Sequence, residues 1–184
     1  MKQVLLFCWE IIKIVILALL IVIPIRYFIF QPFVIKGNSM EPNFHQGDYL
    51  IVDEISYRFN EPKRGDVIVF RYPRDTSQRF IKRIIGLPGE TVKMEQGEIN
   101  IINGVENRTL NESEYGLKEN YTDNLTLSLK ENEYFVLGDN RTASFDSRKW
   151  GALSGNYIIG KVILKTWFPS ITSSISNPLS IFSK

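Results

Sequence analysis

Residues 80–90 read FIKRIIGLPGE, an apolar run that ends in a Pro-Gly turn signal. Short runs rich in β-branched and aromatic residues and bounded by Gly and Pro are typical of β-strands. Because successive side chains of a strand point to opposite faces, Phe80, Lys82 and Ile84 are expected to share one face. A lysine between two apolar neighbours is expected to lose water, and desolvation lowers the pKa of an ammonium group. Lys82 is therefore a candidate general base, although a strand lysine whose stem packs while its ammonium reaches water fits the same pattern.

A second stretch, residues 34–42 (VIKGNSMEP), places a serine directly after a Gly-Asn pair. Gly and Asn adopt backbone angles that other residues avoid, so the pair predicts a tight turn that presents the Ser39 hydroxyl. Serine is a weak nucleophile and needs a nearby base. The chain has one histidine, His45, which lies in a polar segment and is interpreted as a surface loop residue. Lys82 is thus the better candidate for the base.

The chain after residue 31 is dominated by short apolar runs separated by turn pairs such as Gln-Gly and Asn-Gly. Many short strands with few helical stretches predict a mainly β domain of packed, coiled antiparallel sheets over residues 31–169. Residues 106–130 are rich in Asn, Glu, Thr and Ser, and we interpret them as a surface excursion that could include a short strand at 125–129. Residues 170–184 are Ser-rich and are interpreted as a C-terminal tail.

The N-terminal region contains an uncharged apolar run at residues 14–25 (IVILALLIVIPI). As a helix this run reaches only about 18 Å, which is less than a hydrocarbon core of about 30 Å, so a membrane span needs its flanks. A span from Trp9 to Tyr27 would place an aromatic residue at each interface. The bulky residues that follow the run disfavour a cleaved signal peptide. Residues 1–30 are therefore predicted to form a cytoplasmic tip and a single transmembrane helix.

Composition restricts the possible functions. The 184 residues include 22 basic and 20 acidic ones, and the basic residues are spread along the chain, so nucleic acid is not an expected partner. Cys8 is the single cysteine, so no intramolecular disulfide can form. Because Cys and His do not cluster, neither a metal ion nor another cofactor is expected.

Four segments together, in this order and spacing, resemble the bacterial type I signal peptidases of peptidase family S26, with the Gram-positive branch nearest in length. The resemblance implies a membrane-bound serine endopeptidase with a Ser/Lys dyad that removes signal peptides from secreted preproteins after small-x-small (Ala-x-Ala) sites. It also implies a single-pass protein of the cell membrane, with the N-terminus cytoplasmic and the catalytic domain extracytoplasmic. The segments are GNSMEP at 37–42, RGDVIVF at 64–70, FIKRIIGLPGE at 80–90 and GDNRTASFDSR at 138–148.

The resemblance assigns roles to individual residues. Ser39 matches the nucleophile and Lys82 the base, while Ser144 matches the serine that hydrogen-bonds the lysine and orients its lone pair. The Ser39 backbone N–H is one expected oxyanion donor. In some family members a serine hydroxyl two positions before the nucleophile is the second donor. Because that position is Gly37 here, a backbone N–H, a water molecule or Asn38 would have to serve instead.

Other residues match positions that support the site. Asp146 and Arg148 are expected to form an ion pair that fixes the loop carrying Ser144. Asp139 and Asn140 are expected to form a turn in which side chains bond the backbone.

The substrate is expected to bind as an added β-strand between the extended segments 33–37 and 78–82, with alternate side chains entering pockets. Met40 is interpreted as pocket wall or membrane-facing surface, with plain core packing as the alternative. The candidate substrate-binding residues are Ile35, Met40, Phe80 and Ile81.

Two other functions fit parts of the sequence. A LexA-like self-cleaving protease shares the Ser/Lys dyad, but such proteins are cytosolic and the apolar N-terminal helix argues against one. A membrane-tethered β module that binds peptides without cutting them would need neither Ser39 nor Lys82, so substitution of Ser39 separates it from a peptidase.

Overall fold

The computed structural model describes residues 2–28, 30–117 and 123–166. Within these residues, helix α1 (Lys2–Phe28) is followed by eleven β-strands, by the short helix α2 (Ser147–Trp150) and by single 3₁₀ turns. The strands are β1 (Phe30–Val34), β2 (Tyr49–Asp53), β3 (Val67–Tyr72), β4 (Asp75–Gly86), β5 (Thr91–Glu95), β6 (Glu98–Asn103), β7 (Glu106–Thr109), β8 (Leu125–Ser128), β9 (Glu133–Leu137), β10 (Leu153–Ser154) and β11 (Ile158–Thr166).

The strands form two sheets. The larger has the order β1-β2-β11-β3-β4-β9-β10 and the smaller the order β7-β6-β5-β8, and neighbouring strands pair antiparallel in both. The predicted mainly β, antiparallel fold is therefore confirmed. Register shifts in β11, β4 and their partners interrupt the ladders, as expected where sheets coil.

Strand β4 lies between two parts of the core. Ile84 packs on one face with Phe70 and Val136, while its neighbour Ile85 packs on the other face with core residues of the smaller sheet. A strand that is buried on both faces needs apolar side chains at consecutive positions, because alternation sends them to opposite sides. This requirement explains the Ile-Ile pair in the run from which the strand was predicted.

The segment 106–130 differs in part from its predicted role as a surface excursion. Residues 106–109 form β7 on the edge of the smaller sheet, and Leu110, Leu117 and Leu129 are buried. Single leucines in a polar run produce no periodic signal, so sequence patterning misses these core contacts. The predicted strand near 125–129 is present as β8, and residues 118–122 lie outside the described part.

Helix α1 has large apolar side chains that are 46–67% exposed from Leu6 to Val22. Glu10 and Lys13 pair at 2.8 Å along its surface. Among residues 2–28, 30–117 and 123–166, no helix combines the length and the apolar character needed to cross a bilayer. The predicted membrane span therefore stays a prediction, and the predicted tail at 170–184 lies outside the described residues.

Candidate active site

A serine and a buried lysine meet beside strand β4 of the larger sheet. Ser39 follows β1 through a turn in which Gly37 has φ +91°, a conformation that favours glycine. Lys82 lies on β4, is 4% exposed, and places its Nζ 2.6 Å from Ser39 Oγ. The same Nζ donates to the Ile81 carbonyl at 2.9 Å. By contrast, the side chain of His45 is 57% exposed, as expected for a surface loop residue.

The environment of Lys82 changes its protonation. Burial lowers the pKa of the Lys82 ammonium to about 8, against the opposing pull of the Asp146 and Asp139 carboxylates, while Arg148 lowers this pKa further. Desolvation favours the neutral amine because a charge is costly to hold away from water. A neutral amine in contact with a hydroxyl can accept its proton, which is the chemistry that a serine nucleophile requires.

The loop after β9 is held against the serine turn. The Asn140 N–H donates to the Ser39 carbonyl at 3.1 Å, and Gly138 lies directly beneath that carbonyl. A Cβ at Gly138 would overlap both the Ser39 carbonyl oxygen and the Ser144 side chain. Only a residue without a side chain therefore allows these three groups to approach one another.

The hydrogen bond predicted from Ser144 to Lys82 is not formed in this structure. Ser144 Oγ is buried and has no hydrogen-bond partner among the described residues, since it packs against Gly138. Most buried hydroxyl groups in proteins have a hydrogen-bond partner. The Ser144 hydroxyl is an exception, so the hydrogen-bond network predicted around Lys82 is incomplete in this structure.

Asp146 and Arg148 form the ion pair that the sequence predicts. Arg148 Nε donates to Asp146 Oδ1 at 2.8 Å and Nη2 donates to Oδ2 at 2.9 Å, a bidentate arrangement between buried side chains. Asp146 also accepts from the Gly138 N–H at 3.1 Å, and Arg148 donates to the Arg141 carbonyl at 2.7 Å. The pair thus ties together both ends of the loop that carries Ser144.

Among the residues that the structure describes, the Asp139 carboxylate does not make the backbone contacts predicted for it. This carboxylate is fully buried and binds Arg83 through two hydrogen bonds, of 2.8 and 2.6 Å, and it also accepts from Asn43 Nδ2 at 2.8 Å. A bidentate pair with arginine is stronger than a turn contact, and a buried carboxylate needs a cation. Asn140 does bond the backbone, accepting from the Ala143 N–H at 3.0 Å.

Sequence reasoning missed Arg83 and Asn43. Arg83 follows Lys82 and therefore points to the opposite face of β4, where a cation among apolar neighbours could have indicated a carboxylate partner. Asn43 lies in the polar segment after the serine turn and gives no comparable signal.

A groove of ≈ 990 Å³ opens over Ser39 and Lys82. The predicted substrate-binding residues Ile35, Phe80 and Ile81 line it, whereas Met40 does not. Met40 is 1% exposed and belongs to the interior, so its assignment as pocket wall or membrane-facing surface is wrong and the core alternative holds. Ser39 lines the groove, whereas the side chain of the next residue, Met40, points into the protein interior.

One edge of β4 is open along this groove. Residues 75–83 pair with β3 on one side, whereas β9 begins to pair with β4 only at Arg83. Within the described part of the chain, the other edge of residues 75–82 therefore carries backbone groups without a strand partner. Such an edge can accept an extended peptide.

A mainly antiparallel β fold with a serine hydroxyl held against a buried amine, beside a peptide-sized groove, has the features of a serine hydrolase. A family model described as "Signal peptidase, peptidase S26" matches residues 8–167. The chain belongs to this family of signal peptidases, and it is a serine endopeptidase of the signal peptidase I type. Members of this family remove signal peptides from secreted preproteins.

Several named relatives are similar over most of their length. "Probable signal peptidase I-1" of Synechocystis sp. is 36% identical over 173 residues, covering 88% of this chain and 85% of the relative. "Signal peptidase I P" of Bacillus subtilis subsp. natto is 36% identical over 148 residues, covering 74% and 76%. A crystal structure of a signal peptidase I from Enterococcus faecalis V583 is 38% identical with a TM-score of 0.46, covering 56% of this chain and 98% of that chain.

Proposed function

We propose that Ser39 is the nucleophile and Lys82 the general base of this peptidase. The contact of 2.6 Å between Ser39 Oγ and the buried Lys82 Nζ carries the proposal. Neutral Lys82 takes the hydroxyl proton as Ser39 attacks the scissile carbonyl, and the resulting ammonium protonates the leaving amine. Lys82 then deprotonates the water that hydrolyses the acyl-enzyme. One group thus serves as base and acid in turn, without a histidine.

Ser144 is proposed to orient the amine of Lys82. A neutral amine has two N–H donors and one lone pair, and the lone pair must point at Ser39 Oγ. One donor is engaged by the Ile81 carbonyl, and the second needs an acceptor. The buried Ser144 Oγ, which has no hydrogen-bond partner among the described residues, is the proposed acceptor, and this bond would also satisfy its own hydrogen-bonding capacity.

The Ser39 backbone N–H is proposed as an oxyanion donor, since it makes no hydrogen bond within the described residues. Asn38 also lines the groove, and its amide could supply the second donor in place of the hydroxyl that Gly37 lacks. Two donors aimed at the developing negative charge would stabilise the tetrahedral intermediate.

The preprotein is proposed to bind as a strand along the open edge of β4. Backbone hydrogen bonds would hold it in register, and alternate side chains would face Ile35 and Ile81. These apolar side chains leave shallow pockets, which favour small residues at the first and third positions before the cut.

Cleavage of a preprotein that carries an Ala-x-Ala site tests the proposed specificity. We expect cutting directly after the second alanine, verified by the mass of the product. Leucine in place of that alanine is expected to lower kcat/KM at least about tenfold, since a side chain that does not fit its pocket loses transition-state binding. Leucine at the middle position serves as the matched control and should be tolerated. Equal cutting of all three substrates would contradict the proposed pockets.

Helix α1 is proposed to anchor the chain in the cell membrane, with the N-terminus cytoplasmic and the catalytic domain outside. Its exposed apolar side chains support this, because a contiguous apolar surface of this kind needs a covering partner. The full chain is expected to float with lipid vesicles, and aspartate at both Ile14 and Leu17 should prevent flotation. Val105→Asp is the control, since Val105 is an even more exposed apolar residue but lies in the turn between β6 and β7. Flotation of the Ile14/Leu17 variant would argue against the anchor.

A further inference from the structure

The 3₁₀ turn Glu112–Tyr115 lies behind the candidate active site, and it contributes no buried residue to the core. Tyr115 is partly buried against the core of the smaller sheet, and the other contacts of the turn go to the segments that carry Ser39, Lys82 and Ser144. We propose that Glu112 and Tyr115 are positioning residues, which hold these three segments in their reactive arrangement. The inference rests on the proposed Ser39/Lys82 dyad. It assigns a role in catalysis to a turn whose residues do not themselves take part in the reaction.

The first contact reaches the serine turn. Asn43 follows Ser39 by four positions, and its Nδ2 donates to the Tyr115 carbonyl and to Asp139 Oδ2, both at 2.8 Å. One side-chain amide thus joins the serine turn, the 3₁₀ turn and the loop after β9. Because the two hydrogen bonds use the two donors of one amide, the orientation of Asn43 is fixed.

The second contact reaches the strand that carries Lys82. The Arg83 guanidinium lies over the Tyr115 ring, 4.9 Å from its centroid, while it binds Asp139 at its edge. The ring also packs on Gly65, where an added Cβ would lie 3.0 Å from Tyr115 Cε1. Arg83 donates to the Gly65 carbonyl at 2.9 Å. The aromatic ring therefore closes one side of the Arg83 site, and cation–π attraction holds the guanidinium in place.

The third contact reaches the loop that carries Ser144. Glu112 forms an ion pair with Arg141, whose side chain is almost fully buried. Arg141 Nε donates to the Gly138 carbonyl at 3.0 Å, and the Arg141 carbonyl accepts from Arg148. A buried guanidinium requires a carboxylate nearby, and Glu112 supplies it.

These contacts also bear on the charge of Lys82. The charged groups that act on Lys82 are Asp146, Asp139 and Arg148. Tyr115 itself faces Arg83, Glu114, Arg64 and Arg108. If the ring is removed, Arg83 is held less firmly and neutralises Asp139 less well. The Asp139 carboxylate would then stabilise the ammonium form of Lys82 more strongly, so a higher pH would be needed to obtain the neutral base.

The test measures kcat and KM of the full chain between pH 6 and 10 with a preprotein substrate. Tyr115→Ala and Glu112→Gln are expected to lower kcat about tenfold at neutral pH, with little change in KM, since small displacements of reacting groups are costly. For Tyr115→Ala the rise of kcat with pH should also move to higher pH. Tyr115→Phe keeps the ring and should restore the wild-type profile. Glu114→Gln, a change in the same turn, should behave as wild type.

Thermal unfolding of each variant accompanies the kinetics. If Tyr115→Ala does not fold, the kcat of the near-isosteric Glu112→Gln variant tests the positioning role instead. The inference is overturned if the folded variants retain wild-type kcat, or if kcat falls by the same factor at every pH and Tyr115→Phe fails to restore it. A Lys82→Met enzyme that still cuts would instead refute the dyad. A dead Lys82→Met enzyme beside a fully active Glu112→Gln enzyme would refute only the positioning role.

Discussion

Replacement of Lys82 by methionine is expected to lower kcat at least about 10³-fold, because removal of a general base from a serine nucleophile has effects of this size. Methionine has nearly the same length and fills the same apolar site beside Phe80 and Ile84, so the fold should be retained. Lys93→Met is the matched control: Lys93 lies on strand β5, where its side chain is half-exposed and pairs with Glu95. Preprotein cleavage and thermal unfolding of both variants check the prediction. Equal cleavage by wild type and Lys82→Met would place the base elsewhere.

The pH dependence of the wild-type enzyme tests the same residue without a mutation. The pKa of Lys82 is lowered to about 8, chiefly by burial. Below this pH the ammonium has no lone pair and cannot take the proton of Ser39. Activity should therefore rise about tenfold per pH unit below the pKa and level off above it. A flat profile from pH 6 to 10 would contradict this role. A folded wild type that binds the preprotein at every pH without cutting it would favour the tethered binding module.

The position of β4 could be predicted from sequence because one physical rule governs it. Alternation of side chains in a strand places Phe80, Lys82 and Ile84 on one face, and in the structure Lys82 is buried with its Nζ over the Phe80 ring, while Phe80 and Ile84 pack in the same core cluster. Most other strands are predicted for the same reason, since each is a short apolar run between turn residues. Local patterning carries this information, and it does not depend on which strands pair.

The contacts around Asp139 could not be predicted because they join residues far apart in the chain. Arg83 and Asp139 are separated by 56 positions, and Asn43 and Asp139 by 96. Sequence patterning predicts the strand on which a residue lies, but it does not predict which strands are neighbours. Arg83 and Asp139 meet because β4 and β9 pair in the sheet. The missed core role of residues near 110–117 has the same origin, since their leucines become buried only when the two sheets pack.

Gly138 illustrates how such a long-range contact constrains a single position. It directly follows β9 and lies beside Ser39 and Ser144, and its amide donates to Asp146. Its backbone conformation is not one that requires glycine, as it is not among the glycines with positive φ. The requirement is therefore one of space alone: a methyl group there would displace the serine turn or the Ser144 loop.

Gly138→Ala is accordingly expected to lower kcat about 10²-fold, since displacement of reacting groups by about 1 Å can cost that much. The added methyl group must move either the Ser39 carbonyl or the Ser144 side chain, and both movements alter the groups around Lys82. Gly86→Ala is the matched contrast, because a Cβ there would meet Val92, Leu129 and Phe135 at 2.5–2.9 Å within the core. Overpacking of this kind costs about 1–3 kcal/mol of stability, so Gly86→Ala should unfold at lower temperature.

The kcat of the folded fraction separates the two variants. Gly86→Ala should retain wild-type kcat once corrected for the fraction folded, because it lies three residues beyond Arg83 and touches none of the catalytic side chains. Gly138→Ala should also unfold at lower temperature, because its methyl group would overlap the Ser39 backbone carbonyl and the Ser144 side chain, but unlike Gly86→Ala its folded fraction should lose kcat at every pH. If it instead cuts at the wild-type rate, the loop after β9 is free to move away from Ser39 without consequence. The contact between that loop and the serine turn would then be no part of the reactive geometry.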